Sequence, residues 1–226
     1  MSASRQLVLN IQPEAEPRFD NFMPGDNLEL LLALDALARG ELRESVVYIW
    51  GTSGSGRSHL LQATVAEAGR HGGSARYVAV GADLPEDLPP LLAVDDVDRL
   101  DAEAQIRLFS LINQARDGAG VVLAAGPAAP ARLDLRDDLS TRLSWGLVFG
   151  LRPLDEADRA TAIHERAGAL GLLLPEEVVR YLLRHGRRDL PSLLASIDAL
   201  DAYSLSLKRP VTVPLVRQFL SDGATK

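Results

Sequence analysis

The sequence alternates short apolar runs rich in β-branched residues with longer segments of helical periodicity. Five such runs predict buried strands, and segments with apolar residues three or four positions apart predict the helices between them. Strands that alternate with helices indicate an α/β fold, with a mostly parallel sheet covered on both faces. The predicted strands are 46–50, 77–80, 91–94, 121–125 and 145–149, and the predicted helices are 28–37, the segment from the loop to about 70, 102–116 and 136–143.

Two of these helices carry further expectations. The turn before 28–37 places Asp26 or Asn27 where a polar side chain caps a helix. In the helix 102–116, Ile106, Phe109 and Ile112 fall at helical spacing, which predicts one apolar face.

The pattern changes after Pro153, where only helical periodicity remains. The predicted helices there are 155–170, 176–185, 189–206 and 214–221. We therefore divide the chain into a flexible tail at 1–18, an α/β domain at 19–152 and a small all-helical domain at 153–226.

Composition narrows the range of functions. A net charge of −7 and 5% aromatic residues among 226 argue against a general nucleic-acid binder. The absence of cysteine excludes disulfides, zinc–thiolate sites and thiol catalysis. The four histidines show no metal-ligand spacing. Because the sequence has neither a signal peptide nor a long apolar span, we expect a cytoplasmic protein without a membrane partner.

The most informative motif directly follows the first predicted strand. Residues 51–58 fit the phosphate-loop pattern G-x-x-x-x-G-K-[S/T], with Arg57 in place of lysine. Glycines let backbone N–H groups approach phosphate, the next helix presents its positive end, and Ser58 can ligate Mg²⁺. Because arginine is wider and planar, we expect nucleotide binding with poor hydrolysis. The alternative is a surface turn. The candidate nucleotide-binding residues are Gly51, Thr52, Ser53, Gly54, Ser55, Gly56, Arg57 and Ser58.

Two acids and one arginine complete the candidate chemistry. Asp95 and Asp96 end the third strand, where Asp95 would help to hold Mg²⁺ and Asp96 would act as the catalytic acid that orients water. A solvated strand end is the alternative for this pair. Arg142, just before the last strand, forms either a local salt bridge or an arginine finger acting on a neighbouring ATPase.

These motifs together resemble the AAA+ superfamily, and within it the branch of the bacterial replication initiator DnaA. Residues 19–27, with Phe22 and Pro24, resemble the box that cradles adenine, and residues 140–146 resemble the arginine-finger box. Arg188 occupies a segment similar to that of the sensor-two arginine. The resemblance implies a five-stranded parallel P-loop domain with a helical lid, and phosphate contacts from Arg188.

One short segment points to a partner. Residues 6–11 are similar to the Q-L-x-L-x-[L/F] peptides that dock on the bacterial sliding clamp. An extended segment would insert Leu7, Leu9 and Ile11 into a pocket while Gln6 anchors one end, although so short a pattern also arises by chance. With an initiator-like core, the segment resembles the DnaA-related regulators that inactivate the initiator.

This resemblance implies an adaptor that binds ADP (or ATP) with Mg²⁺ and the DNA-loaded clamp. Arg142 would stimulate ATP hydrolysis by DnaA in trans and so prevent re-initiation. The fourth strand ends in Ala124, Ala125 and Gly126, where the superfamily usually has a polar sensor-one residue, which favours weak hydrolysis and resident ADP. Segments with which the initiator contacts DNA are not recognisable here, so we expect no sequence-specific DNA binding.

Two alternatives remain open at this point. Ser58, Asp95 and Asp96 are compatible with an autonomous P-loop ATPase of the helicase-loader or transposition-helper type. A partner-binding protein without any nucleotide is the other. Whether the chain forms a homo-oligomer is not decided by the pattern.

Overall fold

Alternating side chains of the central strands build two separate cores, one on each face of a single parallel sheet. The computed structural model describes residues 16–186 and 190–223, with side chains through 221. The strand order is β2-β3-β4-β1-β5, and every pairing is parallel. The strands are β1 Val46–Trp50, β2 Ala75–Val78, β3 Leu91–Val94, β4 Val121–Gly126 and β5 Leu147–Gly150.

Successive residues of β1 show how the two cores form. Val47 and Ile49 pack on one face with helices α1 and α2, while Val46 and Tyr48 pack on the other with α3 and α4. This alternation is the two-residue period of a strand buried on both faces. The helices of this unit are α1 Leu28–Ala38, α2 Arg57–Arg70, α3 Ala102–Arg116 and α4 Asp137–Leu143.

The parallel arrangement brings the ends of β1, β3 and β4 to one edge of the sheet. Because β4 lies between β3 and β1, the loop after β1 and the acids after β3 lie on either side of the end of β4. Ligands of open α/β sheets bind at such an edge. The predicted five-stranded parallel sheet flanked by helices is confirmed.

Local differences from the sequence prediction have identifiable causes. Strand β2 ends at Val78 rather than Val80, because a turn with Gly81 at φ +76° follows it. Strand β5 begins at Leu147, where pairing with Val47 begins. Ile106 is 52% exposed, so its predicted place on the buried apolar face of α3 is wrong, whereas Ile112 is buried there.

The chain divides at Arg159, after which the described residues form a second, helical unit. Its apolar core is fully buried and includes Ile163, Leu182 and Ile197. Arg166 on α5 donates from Nε and Nη2 to the two carboxylate oxygens of Asp198 on α7, at 2.6 and 2.8 Å. This pairing holds the pKa of Arg166 above its usual range. The helices are α5 Glu156–Ala169, α6 Glu176–His185, α7 Leu190–Leu207 and α8 Val213–Gly223.

Among the described residues, no helix is long and apolar enough to cross a membrane.

Asn27 precedes α1 but does not cap it through its side chain, so the expected capping role is wrong. Its side chain is instead buried and bonded to the backbone after β5. Nδ2 donates to the carbonyl oxygens of Pro24 (3.0 Å) and Arg152 (2.9 Å), and Oδ1 accepts from the Arg152 amide (2.7 Å). Asn27 therefore fastens the segment 19–27 to the end of the sheet.

We expect Asn27→Ala to lower the free energy of unfolding by about 2–4 kcal/mol, because three hydrogen bonds are lost and backbone groups are left unpaired. Chemical denaturation measures this. Asp26→Ala, at a side chain that is 80% exposed, is the matched control and should change stability by less than about 0.5 kcal/mol. Equal effects of the two variants would contradict the bridging role.

Candidate functional site

The loop 51–58 connects β1 to α2 and is shaped by glycines that approach other atoms closely. Gly54 and Gly56 have φ of +76° and +100°, a region that L side chains rarely adopt. A Cβ on Gly51 would lie 2.7 Å from Ser55 Oγ, and one on Gly56 would lie 2.7 Å from Phe22 Cε2. The loop thus has the tight turns that a phosphate cradle requires.

Phe22, in the segment that the sequence likens to an adenine-binding box, lies against the loop. Its ring centroid is 5.7 Å from that of His59 on α2, and His59 Nε2 lies 2.8 Å from the carbonyl oxygen of Arg18. Pro24 is exposed on the same segment, where its carbonyl accepts from Asn27. The segment before α1 is therefore held against the start of α2.

Arg57 reaches across the edge of the sheet to the acid that follows β3. Its Nη2 donates to Asp96 Oδ1 at 2.9 Å, and the side chains are only 12% and 22% exposed. Asp96 has φ +43°, a strained conformation for a residue with a side chain. The expected catalytic acid is thus already paired with the arginine that replaces the loop lysine.

Asp95, in contrast, faces inward and has both oxygens engaged. It is 4% exposed, Oδ2 accepts from the Tyr77 hydroxyl at 2.8 Å, and Oδ1 accepts from the Asp96 amide at 3.0 Å. Burial, followed by this hydrogen bond, raises the pKa of Tyr77 to about 12. Tyr77 therefore remains a protonated donor at neutral pH, and Asp95 retains only its other lone pairs for a metal.

A hydroxyl group lies beside the end of β4, and it belongs to Tyr48 on β1. Tyr48 is fully buried, and its hydroxyl donates to the carbonyl oxygen of Ala128 at 2.9 Å. A Cβ on Gly126 would overlap the Tyr48 oxygen. Burial, reinforced by Asp98 and opposed by Arg57, raises the pKa of Tyr48 well above its usual range. Glycine at position 126 is therefore required by packing, which sequence reasoning missed because Tyr48 is distant in sequence.

The residues present fit the phosphates of a nucleotide. Ser55 Oγ and Arg57 Nη1 are buried without a hydrogen-bond partner among the described residues, and they belong to the glycine-shaped loop. Ser58 is exposed at the first turn of α2, where its hydroxyl is available to a metal. The described residues contain no group of three or more His, Cys, Asp or Glu side chains placed to hold a metal ion.

Arg142 lies on α4 and contacts aromatic rings rather than the loop. Its Cζ lies 3.7 Å from the ring centroid of Trp145 and 5.2 Å from that of Phe109. No carboxylate of the described residues pairs with it, which contradicts the local salt-bridge alternative. Its Nη1 is buried without a partner within the described ranges. Trp145 is 53% exposed and also lies 5.1 Å from Arg116 Cζ.

Several predicted site residues lie outside the described residues. These are the lid arginine Arg188 and the clamp-peptide residues Gln6, Leu7, Leu9 and Ile11.

Comparison with known proteins identifies the helical unit. Residues 155–220 match the family model for the lid domain of Hda. The match covers the helical unit alone, less than a third of the chain, so this unit is similar to the Hda lid. The predicted AAA+ fold with a helical lid is confirmed.

Solved structures agree on the fold. Domain III of the Thermotoga maritima replication initiation protein DnaA aligns with a TM-score of 0.75 at 22% identity, covering 93% of this chain and 97% of that one. AMPPCP-bound DnaA from Aquifex aeolicus aligns at 0.71 and 24% identity, covering 84% and 66%. The Holliday junction branch migration motor RuvB of Thermotoga maritima aligns at 0.69 and 15% identity, covering 91% and 71%. This chain therefore spans about two thirds of the Aquifex aeolicus DnaA chain.

We expect Gly126→Ala to lower the free energy of unfolding by about 1–3 kcal/mol, because the new methyl group collides with the Tyr48 hydroxyl. Thermal or chemical denaturation measures the change. Tyr48→Phe alone should cost about 1 kcal/mol through the lost bond to Ala128.

In the double variant the collision is relieved, so the loss should be smaller than the sum of the two single losses. Strict additivity would mean that Tyr48 does not determine which residue position 126 accepts.

Proposed function

We propose that this protein is an adaptor that holds ADP, docks on the DNA-loaded sliding clamp and stimulates ATP hydrolysis by the replication initiator DnaA, which prevents re-initiation. The observation that carries the proposal is the match of residues 155–220 to the Hda lid, on a chain with the fold of DnaA. The pocket is proposed to stabilise a nucleotide-bound conformation, with Mg²⁺ held by Ser58 and Asp95. Arg188 is proposed to contact the phosphates.

The geometry of the pocket supports binding without efficient turnover. Hydrolysis needs a group that orients the attacking water, which is the role expected of Asp96. Asp96 is engaged by Arg57 at 2.9 Å, and packing with Tyr48 excludes a side chain at Gly126. In the proposed complex, a bound nucleotide supplies the phosphates, while the glycine cradle, Ser55 and Arg57 bind them and the segment around Phe22 covers the loop.

The environment of Arg142 supports a role toward another molecule. Its guanidinium lies against Phe109 and an exposed Trp145, which orient the cation without consuming its hydrogen-bond capacity. An arginine presented to a bound nucleotide of a partner stabilises the charge that develops on the transferred phosphoryl group. We propose that DnaA-bound ATP is the target.

Arg142→Ala should abolish stimulation of DnaA ATP hydrolysis, with a loss of roughly 10³–10⁵ in the stimulated rate if the finger contributes fully. Arg142→Lys should be nearly as defective, because lysine lacks the planar fork. The measurement is release of phosphate by DnaA in the presence of clamp-loaded DNA.

Arg116→Ala is the matched control, since it removes another guanidinium that contacts Trp145. It should leave stimulation within a few-fold of the unmodified protein. Full stimulation by Arg142→Ala would exclude the finger, whereas loss in both variants would indicate that the whole Trp145 surface is needed only for docking.

The clamp peptide is tested separately by replacing Gln6 and Leu7 with alanine. The substitutions remove the anchoring amide and one pocket side chain, so binding to the clamp should fall by at least about tenfold, as expected for loss of roughly 1.4 kcal/mol. Surface plasmon resonance with immobilised clamp measures this. A matched variant with Val8→Ala and Asn10→Ala alters the alternate positions and should bind normally. Unchanged affinity of the Gln6 and Leu7 variant would remove the tether from the proposal.

The autonomous ATPase remains the rival function, and the isolated protein distinguishes it. Steady turnover without DnaA, lost in Asp96→Asn, would support the rival. The adaptor proposal requires that the isolated chain release little phosphate.

A further inference from the structure

Arg57 and Asp96 form an ion pair at the position where the phosphate-loop pattern has its lysine. Nη2 of Arg57 lies 2.9 Å from Oδ1 of Asp96, and both side chains are largely shielded from water. Shielding strengthens the attraction relative to an exposed pair. The two charges therefore compensate each other within the site.

This compensation affects a triphosphate more than a diphosphate. The loop lysine reaches the β- and γ-phosphates, and its full charge is available to them. In this chain the corresponding charge is balanced by Asp96, so an additional anionic phosphate meets a nearly neutral pair. The glycine cradle and the amino end of α2 do not depend on the pair, and they remain available to a diphosphate.

The fork of the guanidinium makes this arrangement possible. Nη2 of Arg57 is committed to Asp96, while Nη1 is buried and has no acceptor among the described residues. Arginine can thus keep its carboxylate partner and still offer one donor to a bound anion. Lysine, with a compact ammonium, lacks two donors fixed in one plane.

We infer that the Arg57–Asp96 ion pair determines nucleotide specificity and favours a nucleoside diphosphate over a triphosphate. The inference rests on the proposed nucleotide binding and names the physical cause of the ADP preference. Arg57 moves fully toward a triphosphate only when its bond to Asp96 breaks, and a diphosphate leaves that bond intact.

A double-mutant cycle tests the pair. Dissociation constants for ADP and for a non-hydrolysable ATP analogue are measured by isothermal titration for the unmodified protein, Arg57→Ala, Asp96→Asn and the double variant. The unmodified protein should prefer ADP. Asp96→Asn should shift the ratio toward the triphosphate by about tenfold, but by less than about threefold when Arg57 is absent.

The cycle separates the pair from a general field effect. Removing the charge of Asp96 helps a triphosphate electrostatically whether or not Arg57 is present, so a pure field predicts equal shifts in both backgrounds. Equal shifts would overturn the inference. Asp134→Asn, which removes the same charge from an exposed carboxylate, is the matched control and should leave the ratio unchanged.

Two further readouts keep the outcome decisive. The melting temperature without nucleotide should fall less in the double variant than the sum of the two single losses, because both single variants break the same ion pair. Arg57→Gln replaces Arg57→Ala if the latter does not fold. If no form of the protein binds either nucleotide, the proposed nucleotide binding fails. If the unmodified protein binds both equally well, only the specificity inference fails.

Discussion

The ion pair between Arg57 and Asp96 joins the loop after β1 to the acidic end of β3, across the end of β4. Breaking it by removing one partner would leave a poorly hydrated charge, so each residue constrains the conformation of the other. The left-handed backbone of Asp96, at φ +43°, is part of the same arrangement because it accompanies a side chain directed toward Arg57. The substitution of arginine for lysine is thereby connected to the acidic motif, and a change at either position would alter the pocket at both.

The acid Asp95 and the carbonyl oxygen of Ala128 have hydrogen-bond partners within the site. Tyr77 and a backbone amide engage Asp95, and Tyr48 occupies the space beside Gly126. The glycine cradle remains open to an anion. These features favour a pocket that stabilises a bound nucleotide over one that turns it over, in agreement with the proposed adaptor role. Arg142, held by aromatic rings away from these contacts, is the cation proposed to act on a partner.

The strands and the loop can be predicted from the sequence, because local patterns determine them. Contacts between residues that are distant in sequence cannot be predicted in this way. Apolar runs predict the strands because a strand buried on both faces needs apolar side chains throughout. The glycines of residues 51–58 predict the loop because its tight turns need backbone conformations that other residues rarely adopt. Contacts distant in sequence are different. Nothing local to Gly126 indicates Tyr48, nothing local to Asp95 indicates Tyr77, and nothing local to Asn27 indicates its bridge to Arg152. The partners of Arg57 and Arg142 likewise depend on how the strands are ordered and how helices pack.

In the proposed function, the pocket retains a bound nucleotide and hydrolyses it slowly. Native mass spectrometry of protein purified gently, without added nucleotide, is the decisive measurement. The proposed adaptor should carry ADP as its main ligand, released on denaturation in near-equal proportion to the chain. A pocket that is consistently empty, in protein that also fails to take up added ADP, would contradict the claim.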